Sequence, residues 1–111
     1  MNRDTLYLLP PGFADRGERQ YCPECAEIWG LLAYYPAIRE TLNVVYQPVV
    51  HPRPGLVERL GDGRWNCPTL VLDVDSPDGP NVQSANGQRY LDSAKKIGQY
   101  WAALYGTARP R

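Results

Sequence analysis

The chain has 111 residues, 43% hydrophobic and 22% charged, and its 12 basic side chains balance its 12 acidic ones. This is enough for one domain with a modest core, which we expect over residues 1–111 with the core at about residues 5–105. A net charge of zero argues against nucleic-acid binding through phosphates, and no apolar run reaches the ~20 residues that span a bilayer. The short apolar segment near the N-terminus does not fit a secretory signal, so we expect a soluble, cytoplasmic protein.

Hydrophobic periodicity and turn residues predict alternating strands and helices along the chain. A buried strand at residues 5–9 is followed by a polar connection over residues 10–21, and then by a helix from Pro23 to about Tyr35, where Pro36 disfavours its continuation. A face of Cys25, Ile28, Trp29, Leu32 and Ala33 is expected to be buried. A second strand follows at residues 42–47, and prolines at 48, 52 and 54 delay the next helix to residues 56–60.

The second half of the chain continues this alternation. A nearly all-apolar strand is predicted at residues 69–74, a loop at 75–85, and a strand at 88–91 that follows the hairpin signal Asn86-Gly87. Asp92 or Ser93 can cap a last helix whose buried face is Ile97, Tyr100, Trp101 and Leu104 and which ends at Gly106, and the tail beyond is expected to be mobile. The order β-α-β-α-β-β-α predicts an α/β fold, a mixed four-stranded sheet with helices on both faces.

The cysteines carry the strongest chemical signal. The chain has only three, an odd number that does not suit a disulfide framework, and two of them form the pair Cys22-Pro23-Glu24-Cys25. In a reducing compartment such a pair is more often catalytic or metal-binding than structural.

Two further segments make this pair part of a larger pattern. Tyr21-Cys22-Pro23-Glu24-Cys25 follows a strand and opens a helix, and Cys67-Pro68 begins a buried strand about forty residues later. This layout resembles the thioredoxin-fold superfamily, and the aromatic residue before Cys22 resembles the glutaredoxin form. Leu91-Asp92-Ser93 at the start of the last helix resembles the end of the glutathione-transferase N-terminal domain. The whole pattern is also similar to small uncharacterised bacterial thioredoxin-like families.

The resemblance implies a glutaredoxin-like thiol–disulfide oxidoreductase. Cys22 would be the nucleophile, because a helix N-terminus favours the thiolate, and Cys25 would be the resolving thiol. Glu24 opposes the thiolate, but we expect it to swing into solvent.

Substrate contacts follow from the same resemblance. Tyr21 and Pro23 would flank the reacting sulfur, and a cis Pro68 would present the Cys67 backbone to an extended peptide or to the cysteine of glutathione. Asp92 and Ser93 would hold the ammonium and the carboxylate of glutathione. The expected partners are therefore protein disulfides or glutathione, with no cofactor other than glutathione as a co-substrate.

Four alternatives remain open from the residues themselves. The domain could bind a partner without catalysis, or Cys22, Cys25 and Cys67 could hold a metal ion or an iron–sulfur cluster, with His51 as the fourth ligand of a closed zinc site. Asp92 and Ser93 could simply cap a helix, and Cys67 could be a small buried apolar residue. His51 and the arginines at 53, 59 and 64 are expected to be solvated, and the aromatic helices suggest a homodimer face.

Overall fold

Residues 3–111, which the computed structural model describes, form seven strands and four helices. The strands are β1 Asp4–Leu8, β2 Phe13–Asp15, β3 Glu18–Gln20, β4 Leu42–Tyr46, β5 Thr69–Val71, β6 Gln83–Ala85 and β7 Gln88–Leu91. The helices are α1 Pro23–Tyr34, α2 Pro36–Arg39, α3 Pro54–Leu60 and α4 Ala94–Tyr105. None of these helices is long and apolar enough to cross a membrane.

Five of the strands build one mixed sheet in the order β4-β1-β5-β7-β6. Strand β1 is parallel to β4 and antiparallel to β5, and β7 is antiparallel to both β5 and β6. The α/β class is therefore confirmed, but the sheet has one strand more than predicted. The extra strand is β6, which pairs with β7 across Asn86 and Gly87, both at positive φ as a type I′ turn requires.

A second hairpin lies where the sequence predicted only a polar connection. Strands β2 and β3 pair with each other in a separate two-stranded sheet, joined at Arg16 and Gly17 with φ of 53° and 75°. The prediction for residues 10–21 was wrong in this respect. Arg-Gly is a weaker turn signal than Asn-Gly, and strands of three residues are too short to show a period.

Both faces of β1, an inner strand between β4 and β5, are buried. Leu6 and Leu8 point to one face and are fully buried, while Thr5 and Tyr7 point to the other. Arg59 of α3 reaches Thr5 Oγ1 and the Tyr7 hydroxyl, both at 3.4 Å, so α3 lies on that second face. Helices α1 and α4 pack against each other, and the predicted core residues Ile97, Tyr100 and Trp101 of α4 are buried.

Several predicted boundaries shift for physical reasons. The third strand ends at Val71 instead of residue 74, since the Asp73 N–H donates to the Asp4 carboxylate and leaves the ladder. Helix α3 begins at Pro54 instead of residue 56, because proline fits the first turn of a helix. Two positions predicted to be buried, Ala33 and Leu104, are exposed, while Cys25, Ile28 and Leu32 form the buried face of α1.

The ends of α4 follow the predicted signals more closely. Ser93 is the N-cap, its Oγ accepting from the Lys96 N–H at 3.2 Å, and Gly106 ends the helix at φ 74°. The segment after Gly106 lies back against α1, where the Ala108 N–H donates to the Tyr35 hydroxyl at 3.2 Å. The Cys67–Pro68 bond is cis, as predicted, and so is His51–Pro52.

Candidate active site

Cys22 is the N-cap of α1, and the helix positions its sulfur directly over the first turn. Its extended backbone precedes Pro23, and its Sγ accepts a hydrogen bond from the Cys25 N–H at 3.1 Å. The first N–H groups of a helix have no partners within it, so they stabilise a negative charge placed at this end. The Cys22-Pro23 start of the helix thus places the Cys25 N–H against a sulfur that is partly exposed.

The other two thiols lie close to Cys22 but are buried. All three cysteines are free, and Cys25 and Cys67 are 4% and 6% exposed. The Cys22 S–H donates to the Cys67 carbonyl across a Sγ···O distance of 3.7 Å. Pro68, which is also buried, follows directly and leads into β5. The structure therefore brings together four of the predicted site residues, Cys22, Cys25, Cys67 and Pro68.

Burial makes the two inner thiols, Cys25 and Cys67, less acidic than an ordinary cysteine. It raises the pKa of Cys25 strongly, with a further increase from the hydrogen bond and charge of Cys22, while a hydrogen bond with the Leu9 backbone opposes the shift. Burial also raises the pKa of Cys67, to about 11, although the Arg53 guanidinium lowers it. Both inner sulfurs are therefore protonated thiols near neutral pH.

Arg53 is a buried cation beside this cluster, contrary to the solvated surface position that we expected. It is 8% exposed and donates to three backbone carbonyls, those of Pro48 at 3.0 Å, Val49 at 3.0 Å and Trp65 at 2.7 Å. These bonds connect the loop before α3 to the segment that leads into Cys67. Arg53 therefore positions the Cys67 backbone, and its charge acts on the Cys67 thiol.

Glu24 is held in place instead of swinging into solvent. Its Oε1 accepts the Ala94 N–H at 3.0 Å, so the carboxylate of α1 caps the first turn of α4. Ser93 is the N-cap of the same helix, and the Asp92 carboxylate pairs with Lys96 at 3.1 Å. The predicted ligand site at Asp92 and Ser93 thus lies next to the cysteine pair, and its polar groups have partners within the chain.

A groove opens on the other side of Cys22. Its volume is about 380 Å³, and Cys22 and Cys25 are among the residues that line it. Tyr21, Trp29 and Tyr46 contribute aromatic rings to its walls. Tyr21 and Tyr46 are 65% and 47% exposed, so the groove is open to solvent.

The metal alternative finds no support in the geometry. Among residues 3–111, no three His, Cys, Asp or Glu side chains are placed to hold a metal ion. His51, the fourth ligand of the closed zinc alternative, packs against the Trp65 ring in a tilted arrangement with centroids 4.9 Å apart.

Comparison with known families places the chain in a group defined by sequence. The family described as "Protein of unknown function (DUF3088)" matches residues 3–109, nearly the whole length. The chain belongs to the DUF3088 family. No curated protein and no solved structure matches it. For this DUF3088 protein, a functional assignment therefore depends on the geometry of its own site.

Three residues of the site were not identified from the sequence. Trp29 and Tyr46 were assigned to the core and to a strand, and Arg53 to the surface. The sequence does carry one usable signal, because Tyr46 ends a strand parallel to β1 and so must lie near the residues that follow β1. No comparable signal distinguishes Arg53 from the other arginines, because its partners are backbone carbonyls.

Proposed function

We propose that this DUF3088 protein is a thioredoxin-like thiol–disulfide oxidoreductase in which Cys22 attacks and Cys25 resolves. The observation that carries the proposal is the contrast between the two sulfurs. Cys22 is accessible and accepts a helix N–H, whereas Cys25 is buried one turn further into the same helix. This contrast suits a nucleophile and its resolving thiol.

The proposed reaction uses the two cysteines Cys22 and Cys25 and an external thiol as the reductant. The Cys22 thiolate attacks one sulfur of a substrate disulfide, forming a mixed disulfide and releasing the other sulfur as a thiolate. Cys25 then attacks Cys22 Sγ, releases the second substrate thiol, and leaves a Cys22–Cys25 disulfide. Two molecules of a low-molecular-weight thiol, with glutathione as the first candidate, then reduce that disulfide and are oxidised to one disulfide between them.

The arrangement of the thiols gives this sequence a physical basis. Part of the increase in the Cys25 pKa comes from Cys22, through its charge and its hydrogen bond. Once Cys22 is bonded to substrate it no longer carries a charge, so this contribution disappears. Cys25 therefore becomes easier to ionise only after the first step.

Tyr21, Pro23, Cys67 and Pro68 would contact substrate in this proposal. Tyr21 and Pro23 flank Cys22 in the chain and are exposed. The Cys67 carbonyl lies 3.7 Å from Cys22 Sγ, within reach of a peptide bonded to that sulfur. Asp92 and Ser93 would take the charged end of glutathione, provided that it displaces the Glu24 carboxylate from Ala94.

Alkylation kinetics test the assignment of roles. The reduced protein is treated with iodoacetamide over a pH series, and the labelled residues are identified by peptide mass spectrometry. We expect Cys22 to be labelled at least tenfold faster than Cys25 and Cys67, because both of these are buried and protonated. Faster labelling of Cys25 or Cys67 would reverse the roles.

A second measurement separates a redox pair from a binding domain. Oxidation of the protein with a small disulfide should produce a Cys22–Cys25 disulfide, detected as a two-hydrogen mass change on treatment with dithiothreitol. The Cys25→Ser variant should instead stop at a mixed disulfide on Cys22. A bound metal in the native mass spectrum, or an unchanged mass in both proteins, would favour the non-catalytic alternatives.

A further inference from the structure

The groove beside Cys22 has no acidic or basic side chain in its described lining. Its lining includes two prolines and three aromatic residues, Pro10, Pro11, Tyr21, Trp29 and Tyr46. The lining is predominantly apolar, so a charged ligand group would lose its hydration there without gaining an ion pair. Neutral groups with apolar or aromatic surface are the ones that such a lining favours.

The size of the groove restricts its occupant further. About 380 Å³ lies at the lower end of the range for small-molecule sites, of about 300–1,000 Å³. It can take one aromatic or aliphatic group on each side of a sulfur–sulfur bond, but not an extended protein surface. Because Cys22 and Cys25 both line the groove, a disulfide bound in it lies beside the attacking residue.

The start of α4, which the Glu24 carboxylate contacts, is polar instead of apolar. There Asp92 pairs with Lys96, Ser93 caps α4, and the Glu24 carboxylate occupies the Ala94 N–H. An anionic ligand approaching this helix end must compete with Glu24. The apolar groove is therefore the accessible approach to Cys22, and the polar side is already occupied by the chain itself.

We infer that the substrates are small neutral disulfides with apolar or aromatic substituents, bound in the groove between Tyr21, Trp29 and Tyr46. The inference rests on the proposed function, since it uses Cys22 as the nucleophile. Cys22 Sγ bonds to one substrate sulfur while the substrate S–S bond breaks, and the second sulfur leaves as a thiolate. Cys25 then attacks Cys22 Sγ and releases the bound half as a thiol, and two molecules of a low-molecular-weight thiol reduce the resulting Cys22–Cys25 disulfide and become one disulfide.

Two disulfides of opposite character test the inference. The reduced full-length protein is mixed with 2,2′-dithiodipyridine, which is neutral and aromatic, or with glutathione disulfide, which is charged. Each rate is divided by the rate of the same probe with N-acetylcysteinamide, so that the intrinsic reactivity of the probe cancels. We expect the normalised rate for the aromatic probe to exceed that for glutathione disulfide by about tenfold or more, as several aromatic contacts would give.

Matched tyrosine variants connect this preference to the groove. Tyr46→Ala should lower the normalised rate of the aromatic probe by about two- to tenfold, the value of one aromatic contact, and should leave the iodoacetamide rate of Cys22 unchanged. Tyr34→Ala is the control, because Tyr34 is on α1, is 80% exposed and lies outside the groove. It should change neither rate.

The outcomes separate this inference from the proposed function. Equal normalised rates for the two disulfides, or the same rate in Tyr46→Ala as in Tyr34→Ala, would overturn the substrate class while Cys22 remains the labelled residue. If Cys22→Ser reacts with both probes as fast as the unmodified chain, the nucleophile is wrong and both proposals fall.

Discussion

Replacing Arg53 with methionine should destabilise the fold more than replacing any exposed arginine. Arg53 is 8% exposed, and its guanidinium donates to the carbonyls of Pro48, Val49 and Trp65, with distances of 2.7–3.0 Å. Methionine fills most of the space of the aliphatic stem but donates no hydrogen bond. The variant therefore leaves three carbonyls without their donor.

The magnitude follows from two opposing contributions. Leaving a buried carbonyl without a partner costs about 1–3 kcal/mol. Pro48 is exposed and Val49 and Trp65 are half-buried, so water replaces part of the lost hydrogen bonding and the three carbonyls together cost about 3 kcal/mol. Removing the buried cation recovers part of its desolvation cost. We expect a net loss of about 1–2 kcal/mol in the free energy of unfolding, above the ~0.5 kcal/mol of a surface substitution.

Urea denaturation, followed by far-ultraviolet circular dichroism and tryptophan fluorescence, measures this loss. Arg64→Met is the matched control, because Arg64 is exposed and a surface substitution should stay within about 0.5 kcal/mol. Arg53→Lys keeps the charge but not the planar fork that reaches three carbonyls, so it should also be destabilised. Equal stability of Arg53→Met and Arg64→Met would refute the argument, and full stability of Arg53→Lys would show that charge alone matters.

Three further predictions concern pH, a ligand and the C-terminal tail. Burial raises the pKa of Cys67 to about 11 in the folded protein, whereas the unfolded thiol ionises near a pH of about 8.5. The contribution of this thiol to the free energy of unfolding is therefore complete below about pH 8.5 and falls toward pH 11. Cys67→Ala should flatten this alkaline decline in urea titrations. Calorimetry should show that Asp92→Ala weakens glutathione binding and that Glu24→Ala strengthens it, and equal affinities in all three proteins would remove glutathione from this site. A Cβ at Gly98 would lie 2.7 Å from Pro110 Cγ, so Gly98→Ala should gain the ~1 kcal/mol of helix propensity in thermal unfolding only when Pro110→Gly is also present.

Local patterns were sufficient to predict most of the fold and the centre of the candidate site. Cys22 and Pro23 are a capping residue and a first-turn proline, and both signals act within one helical turn. Ser93 and Gly106 delimit α4 in the same local way. Where the cause of a structure lies within a few neighbouring residues, the sequence shows it directly.

Contacts between distant segments could not be predicted in this way. Glu24 looked like a free surface carboxylate, but it accepts from Ala94, 70 residues away. Gly98 lies inside α4, where glycine lowers helix propensity, and its missing side chain makes room for Pro110. Arg53 looked like other arginines, because nothing in the sequence marks the backbone carbonyls that surround it. Each of these roles depends on the packing of two segments, which no period or motif encodes.

The three thiols limit one another, so the cluster favours one thiolate at a time. Burial keeps Cys25 and Cys67 protonated, and a charge on Cys22 makes ionisation of either one harder. Among the three thiols, only Cys22 combines partial exposure with a helix N–H at its sulfur, so it is the sulfur that an incoming disulfide can reach. When Cys22 forms a mixed disulfide its charge disappears, and the inner thiols are released from that repulsion together. Arg53 lowers the pKa of Cys67 alone, whereas Cys25 shares a helical turn with the mixed disulfide. Resolution by Cys25 is thus a matter of proximity, and Cys67→Ala should leave the Cys22–Cys25 disulfide able to form.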